Sequence, residues 1–124
     1  MKKIITIIII VAVCVGLYKL LSQKPSTIDT TVSNPDLIVY WGEGCPHCET
    51  VKEYITNNKL DQKIKISLKE VYYNKTNQLE LEKSAKLCPE IDTAQGIGVP
   101  FGFVVSTNKC LYGDKPIIDW LSSR

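Results

Sequence analysis

The sequence predicts a small α/β domain with a four-stranded mixed sheet, threaded strand, helix, strand, helix, strand, strand, helix, behind one apolar N-terminal helix. Three observations predict it. Alternating or continuous apolar runs take turns with segments whose apolar residues recur every three to four positions, as strands and helices do. A C-x-x-C, Cys45-Pro46-His47-Cys48, follows one apolar run and opens a helical pattern, so that strand, tight turn and helix meet at two sulfurs. Residues 4–18 carry no charge, with Lys2 and Lys3 before them and Lys19 after.

The 124 residues, 44% hydrophobic, allow one small domain and an appendage and are not biased toward disorder. The formal charge of +2 is not a property of the domain, because residues 36–124 hold 11 Lys+Arg against 12 Asp+Glu, a balance of −1. No basic face with interleaved aromatics is present, which argues against nucleic-acid binding. Of the five cysteines, Cys14 falls in the apolar segment and is expected to stay a free thiol. The other four make an even number that allows two bridges.

Residues 1–21 are expected to form a signal anchor. The uncharged run is short of the usual ~20 residues, but reaches the lower limit if it continues to Leu21 with Lys19 snorkelling. A cleaved signal peptide fits less well, since no Ala-x-Ala follows. Lipidation at Cys14 would want a small residue where Val13 stands. Lys2 and Lys3 orient the N-terminus to the cytoplasm and the domain outward, in a single pass of the cell membrane. Residues 22–35, rich in Ser, Thr, Asn and Pro, are expected to be a linker without fixed fold.

The domain then occupies residues 36–124. Leu37-Ile38-Val39-Tyr40 reads as a central strand covered on both faces. A first helix follows Pro46, with Val51, Tyr54 and Ile55 inward. Ile64, Ile66 and Leu68 alternate with polar residues as a second strand, continuing through residues 71–73 and pairing parallel with the first. Asn77 and Glu80 have capping-box spacing for a second helix, with Leu81, Ala85 and Cys88 inward, Leu79 and Leu87 beside them, and Pro89 as its stop. Residues 90–98 form a loop, 99–105 a third strand, 106–109 a turn and 110–112 a short fourth strand. Pro116 suits the first turn of a last helix burying Ile117, Ile118, Trp120 and Leu121. Tyr40, Trp41, Phe101 and Phe103 read as core or groove aromatics.

The chemistry points to the two sulfurs at 45 and 48. A cysteine at a helix N-terminus meets unpaired N–H groups and the positive end of the dipole, which favour the thiolate that attacks disulfides. His47, adjacent to Cys48, adds a positive or hydrogen-bonding group that would stabilise the reduced form and so make the disulfide a stronger oxidant. The plainer reading of His47 is a solvated side chain on the first helical turn. A zinc site using Cys45, Cys48, Cys88 and Cys110 is a weak match, with one knuckle and no second C-x-x-C, so no metal is expected. Cys88 and Cys110 suit a second, structural disulfide, with an electron relay as the alternative.

This element order, with C-x-x-C at the first helix, Val99-Pro100 opening the third strand and a Gly113-Asp114 turn into the last helix, resembles the minimal thioredoxin or glutaredoxin fold over roughly residues 36–122. The Pro46-His47 pair is similar to that of bacterial disulfide oxidoreductases of the Dsb type, and of the thioredoxin-like domain of vitamin K epoxide reductase homologues. The resemblance implies that Cys45 is the exposed nucleophile, that Cys48 resolves the mixed disulfide, that Pro46 and His47 tune the thiolate, that the Val99–Pro100 bond is cis, and that Val99 and Pro100 contact substrate backbone. Val39 departs from the buried acid of thioredoxins. Gly42, Glu43 and Lys115-Pro116 depart from the glutathione-binding pattern of glutaredoxins.

The expected function is therefore a membrane-anchored thiol–disulfide oxidoreductase, oxidising in direction. It would act on cysteine-containing client proteins, be served by a membrane redox partner, use no cofactor but its own disulfide and work as a monomer. The alternatives are a tethered reductase or isomerase and a non-catalytic binding module of the same fold.

Overall fold

The computed structural model describes residues 2–21 and 29–124. The apolar segment forms helix α1 (Lys2–Leu21), whose aliphatic side chains from Ile4 to Leu17 are exposed on every side. Among the described residues no helix is long and apolar enough to cross a membrane. At ~1.5 Å per residue the uncharged stretch 4–18 rises about 22 Å, against a hydrocarbon core of about 30 Å.

The domain is a sheet of four strands, β1 (Leu37–Trp41), β2 (Ile66–Glu70), β3 (Phe101–Val104) and β4 (Lys109–Tyr112), in the order β2-β1-β3-β4. β1 runs parallel to β2 and antiparallel to β3, and β3 and β4 form a hairpin. All five β1 residues are buried, as a continuous apolar run requires when both faces are covered. On one face lie α2 (Pro46–Asn57) and α4 (Asp114–Ser122), packing Val51, Ile55, Ile117 and Leu121 on Leu37 and Val39. α4 approaches β3 at Gly102, where a Cβ would come within 3.0 Å of the Ile117 side chain. On the other face α3 (Lys75–Ala85) packs Leu81 and Ala85 on Ile38, Tyr40 and Phe101. The buried Tyr40 hydroxyl meets Ser84 Oγ at 3.0 Å and donates to Glu80 Oε1 at 3.3 Å, while Lys69 Nζ holds Glu80 at 2.6 Å. Desolvation in this pocket pushes the Tyr40 phenol well above its ordinary range. This small mixed α/β arrangement is compatible with the thioredoxin-like fold that the sequence resembles.

Several boundaries differ from the sequence reading, each for a local reason. β2 stops at Glu70 rather than running to Tyr73, because the buried Glu70 carboxylate folds forward and accepts from the N–H groups of Tyr72, Tyr73 and Asn74 at 2.7, 2.9 and 3.2 Å. α3 is capped by Asn74, not Asn77: the Asn74 side chain accepts from the N–H groups of Thr76 and Asn77. Leu79 and Leu87 are exposed, outside the buried stripe of that helix. The helix ends at Ala85, its last turn tightening as Leu87 and Cys88 N–H donate to Ser84 and Ala85 carbonyls. β3 begins after Pro100, whose nitrogen has no proton for a ladder bond.

The linker reading changes as well. Residues 29–35 lie among the described residues. Thr30 forms an antiparallel bridge with Leu68, its N–H donating to Leu68 O at 3.1 Å and its carbonyl accepting from Leu68 N–H at 3.0 Å. Val32 N–H donates to Ser67 Oγ at 3.0 Å, and Asp29 Oδ2 accepts from Asn77 Nδ2 at 2.9 Å. The free edge of β2 offers unpaired backbone groups, and this strap satisfies part of them. Residues 22–28 of the expected linker lie outside the described residues.

Candidate redox site

The site is assembled at one end of the sheet, where β1 and β2 finish, β3 begins and β4 hands over to α4. Past Trp41 the chain makes a tight turn closed by Cys45 N–H donating to Gly42 O at 3.2 Å, with Gly44 at φ +73°. Gly42 leaves room for the Tyr72 ring, which a Cβ there would have to displace. Cys45 is the extended N-cap of α2 and Pro46 its first residue, a position where a missing N–H costs nothing. Its sulfur takes the place of a capping oxygen: Cys48 N–H points at Cys45 Sγ from 3.3 Å.

Cys45 and Cys48 are joined in a disulfide, with Cα atoms 5.3 Å apart. The two sulfurs are unequal. Cys45 is half-buried, while Cys48 is completely buried at 0% exposure. A thiolate arriving from solvent therefore meets Cys45, and the electron pair of the broken bond goes to Cys48. In the reduced state the Cys48 N–H and the start of α2 favour charge on Cys45.

Val99–Pro100 is a cis peptide beside the disulfide, and Val99 O lies 3.7 Å from Cys45 Sγ. Gly113 N–H donates to Pro100 O at 3.0 Å, tying this turn to the start of α4. Pro100 is buried and Val99 half-buried. Next to the loop leading into Val99, a cleft of about 340 Å³ opens between α3 and the loop, lined by Tyr72, Leu81, Lys86, Thr93 and Ile97 among others.

His47 is 73% exposed, and its Nδ1 lies 3.0 Å from Asp114 Oδ2 in the first turn of α4. The hydrogen bond from His47, then the Lys115 backbone N–H at the other carboxylate oxygen, hold the Asp114 carboxyl below its ordinary range. This partner was not found by reading the sequence, although an acid in the first turn of a helix was a visible signal. Glu70 was missed too. It stands opposite Trp41 in the β1–β2 register at the same end of the sheet, with both carboxylate oxygens taken up by backbone N–H groups. Lys52 Nζ sits 3.8 Å above the Trp41 ring, whose own indole N–H is buried and meets no acceptor among the described residues. Val39 is packed in the core under α2, so the position of the thioredoxin acid is hydrocarbon.

Cys88 and Cys110 form a second disulfide, with Cα atoms 6.2 Å apart. It lies on the α3 face toward the far end of the sheet, with Cys88 Sγ 3.5 Å from the carbonyl of Asn108 in the β3–β4 turn. The four sulfurs are thus divided between two places rather than gathered as ligands. Among the described residues no cluster of three His, Cys, Asp or Glu could hold a metal ion.

No protein-family model, curated protein or solved structure matches the chain. The geometry therefore speaks for itself. A C-x-x-C pair at disulfide distance on a small mixed α/β sheet is compatible with redox activity.

Proposed function

We propose that this chain is a membrane-anchored thiol–disulfide oxidoreductase that passes its Cys45–Cys48 disulfide to cysteine-containing client proteins. A client thiolate attacks Cys45 Sγ, a mixed disulfide forms, and Cys48 leaves as the thiolate. A second client thiolate then attacks the mixed disulfide and releases Cys45. The client is oxidised by two electrons, the C-x-x-C is reduced by two, and the client's two protons pass to the new thiols or to solvent. A membrane redox protein restores the disulfide, and the cycle needs no cofactor beyond it. The chain works as a monomer and binds no nucleic acid.

The observation that carries the proposal is the inequality of the two sulfurs: an accessible cysteine capping α2, bridged to a fully buried one. The cis Val99–Pro100 turn, with Val99 O 3.7 Å from Cys45 Sγ, supports client binding next to the reacting sulfur. His47 and an oxidising compartment support the outward direction of disulfide flow. For the anchor, support comes from the all-round apolar surface of α1 behind Lys2 and Lys3, with the domain outside the cytoplasm. The sequence continues through Leu20 and Leu21, so 4–21 rises about 27 Å, a mismatch that bilayer thinning accommodates.

The test is oxidative refolding of a reduced, disulfide-containing substrate by the parent and by Cys45→Ser, together with the reduction potential of the couple. Loss of activity in the variant with a potential above about −200 mV supports the oxidase. Equal activity in the variant points to a binding module instead, and a potential near −270 mV to a reductase.

A further inference from the structure

The direction in which the strap runs decides which end of the domain the anchor pulls on. Residues 29–32 lie antiparallel to β2, with Thr30 opposite Leu68 and Asp36 N–H donating to Lys65 O at the start of that strand. Going back along the chain, the strap climbs toward the end of β2, where Asp29 is held by Asn77 at 2.9 Å and Asn74 at 3.4 Å. Asn74 follows the turn that Glu70 closes, and β2 is parallel to β1, so this is the end of the sheet that carries Cys45 and Cys48. The chain enters the sheet at the opposite end, at Asp36, and without the strap the anchor would hold the domain from there.

Length makes the difference decisive. From Leu21 to Asp29 there are eight peptide steps, a reach of at most about 29 Å, and a domain of this size is about 30 Å across. From Leu21 to Asp36 the fifteen steps would reach about 54 Å. A second, independent observation marks the same face: the three strongly exposed tyrosines of the domain, Tyr72, Tyr73 and Tyr112, all stand at the redox end, at the ends of β2 and β4. Tyrosine, apolar in its ring and polar at its tip, is the side chain suited to a headgroup layer.

We infer that the strap turns the redox end toward the membrane, where Tyr72, Tyr73 and Tyr112 meet the headgroup layer and the Cys45–Cys48 disulfide is offered to cysteines presented at the bilayer surface. The inference rests on the anchor reading of α1. It does not depend on the direction of electron flow. Its occupant is the lipid surface carrying the chain's own anchor.

The experiment uses the full chain in phosphatidylcholine vesicles containing an acceptor-labelled lipid. A donor fluorophore is carried on a non-natural residue at position 115, at the redox end, or at position 61, at the other end. Flotation with the vesicles is scored first, and failure to float overturns the anchor reading and this inference together. With the chain floating, energy transfer is expected to be at least twofold higher from 115 than from 61. The order is expected to reverse in Asp29→Ala/Thr30→Pro, which loses the Asp29 contacts and the N–H donated to Leu68. Equal transfer from both positions in the parent, or an unchanged order in a variant whose urea midpoint shows the domain still folded, overturns the inference and leaves the anchor standing. As a functional readout, a dithiol peptide linked to lipid should be oxidised at least tenfold faster than the same peptide in solution, with the advantage reduced in the strap variant. An absent advantage with the fluorescence order intact overturns the part of the inference that offers the disulfide to cysteines at the bilayer surface.

Discussion

At the scale of single residues, the site turns on the charge near Cys45 Sγ. Two groups face that sulfur, the Cys48 N–H at 3.3 Å and the α2 N-terminus, and the proposed oxidase adds the His47 ring, whose Nδ1 meets Asp114 at 3.0 Å. His47→Ala is expected to raise the thiolate pKa of reduced Cys45 by about one unit and to make the couple about 30 mV less oxidising. Thiol absorbance against pH and equilibration with glutathione measure the two, and unchanged values would show the ring to be a bystander. Asp114 gives a pH prediction whose sign follows from its cause. Its carboxyl is held below the ordinary value in the folded state, so the stability it lends is present at neutral pH and is lost as pH falls through the folded value. The melting temperature of Asp114→Asn should therefore lie slightly below that of the parent at pH 6, and the two curves should converge in strong acid. A gap that stays constant with pH would assign the loss to something other than this carboxylate.

At the scale of elements, the end of β2 shows how one buried side chain sets a boundary. Residues 71–73, Val-Tyr-Tyr, have the composition of a strand, but Glu70 is at 1% exposure and needs partners for both oxygens. It takes the N–H groups of Tyr72, Tyr73 and Asn74, which turns the chain and brings Asn74 to cap α3. Glu70→Gln exchanges one acceptor for an amide that faces backbone donors, and should cost about 1–3 kcal/mol in urea unfolding with an unchanged m value. Full stability in that variant would mean that the turn holds without its cap. The same turn brings the Tyr72 ring over Gly42, so one carboxylate bears on the shape of the redox loop.

For the whole molecule, two half-cores share one sheet, and the redox end is where four connections converge. The Cys88–Cys110 bridge closes the last turn after α3 onto the outer strand β4, far from that end. It acts as a staple across a sequence separation of 22, and replacing both cysteines by serine should lower stability by about 3 kcal/mol on the chain-entropy account. Client oxidation by folded protein should persist at the parent rate. A tenfold loss of that rate with the fold intact would revive the relay between the two pairs.

What the sequence alone determined is what neighbours along the chain decide. The order of elements follows from apolar period, the strand-to-helix turn from Gly-Cys-Pro, and the nearness of two sulfurs from a spacing of three. The apolar character of α1 was legible for the same reason. The tertiary structure alone decided what depends on sheet register and packing. His47 and Asp114 are 67 positions apart and meet because α4 starts beside α2, which no local pattern encodes. The strap looked like free linker because its polar residues have no periodicity. It is ordered by the unpaired edge of β2, a property of the assembled sheet. The opening motif therefore carries the proposed chemistry, and the fold supplied the acid that meets His47 and the end of the domain at which the strap begins.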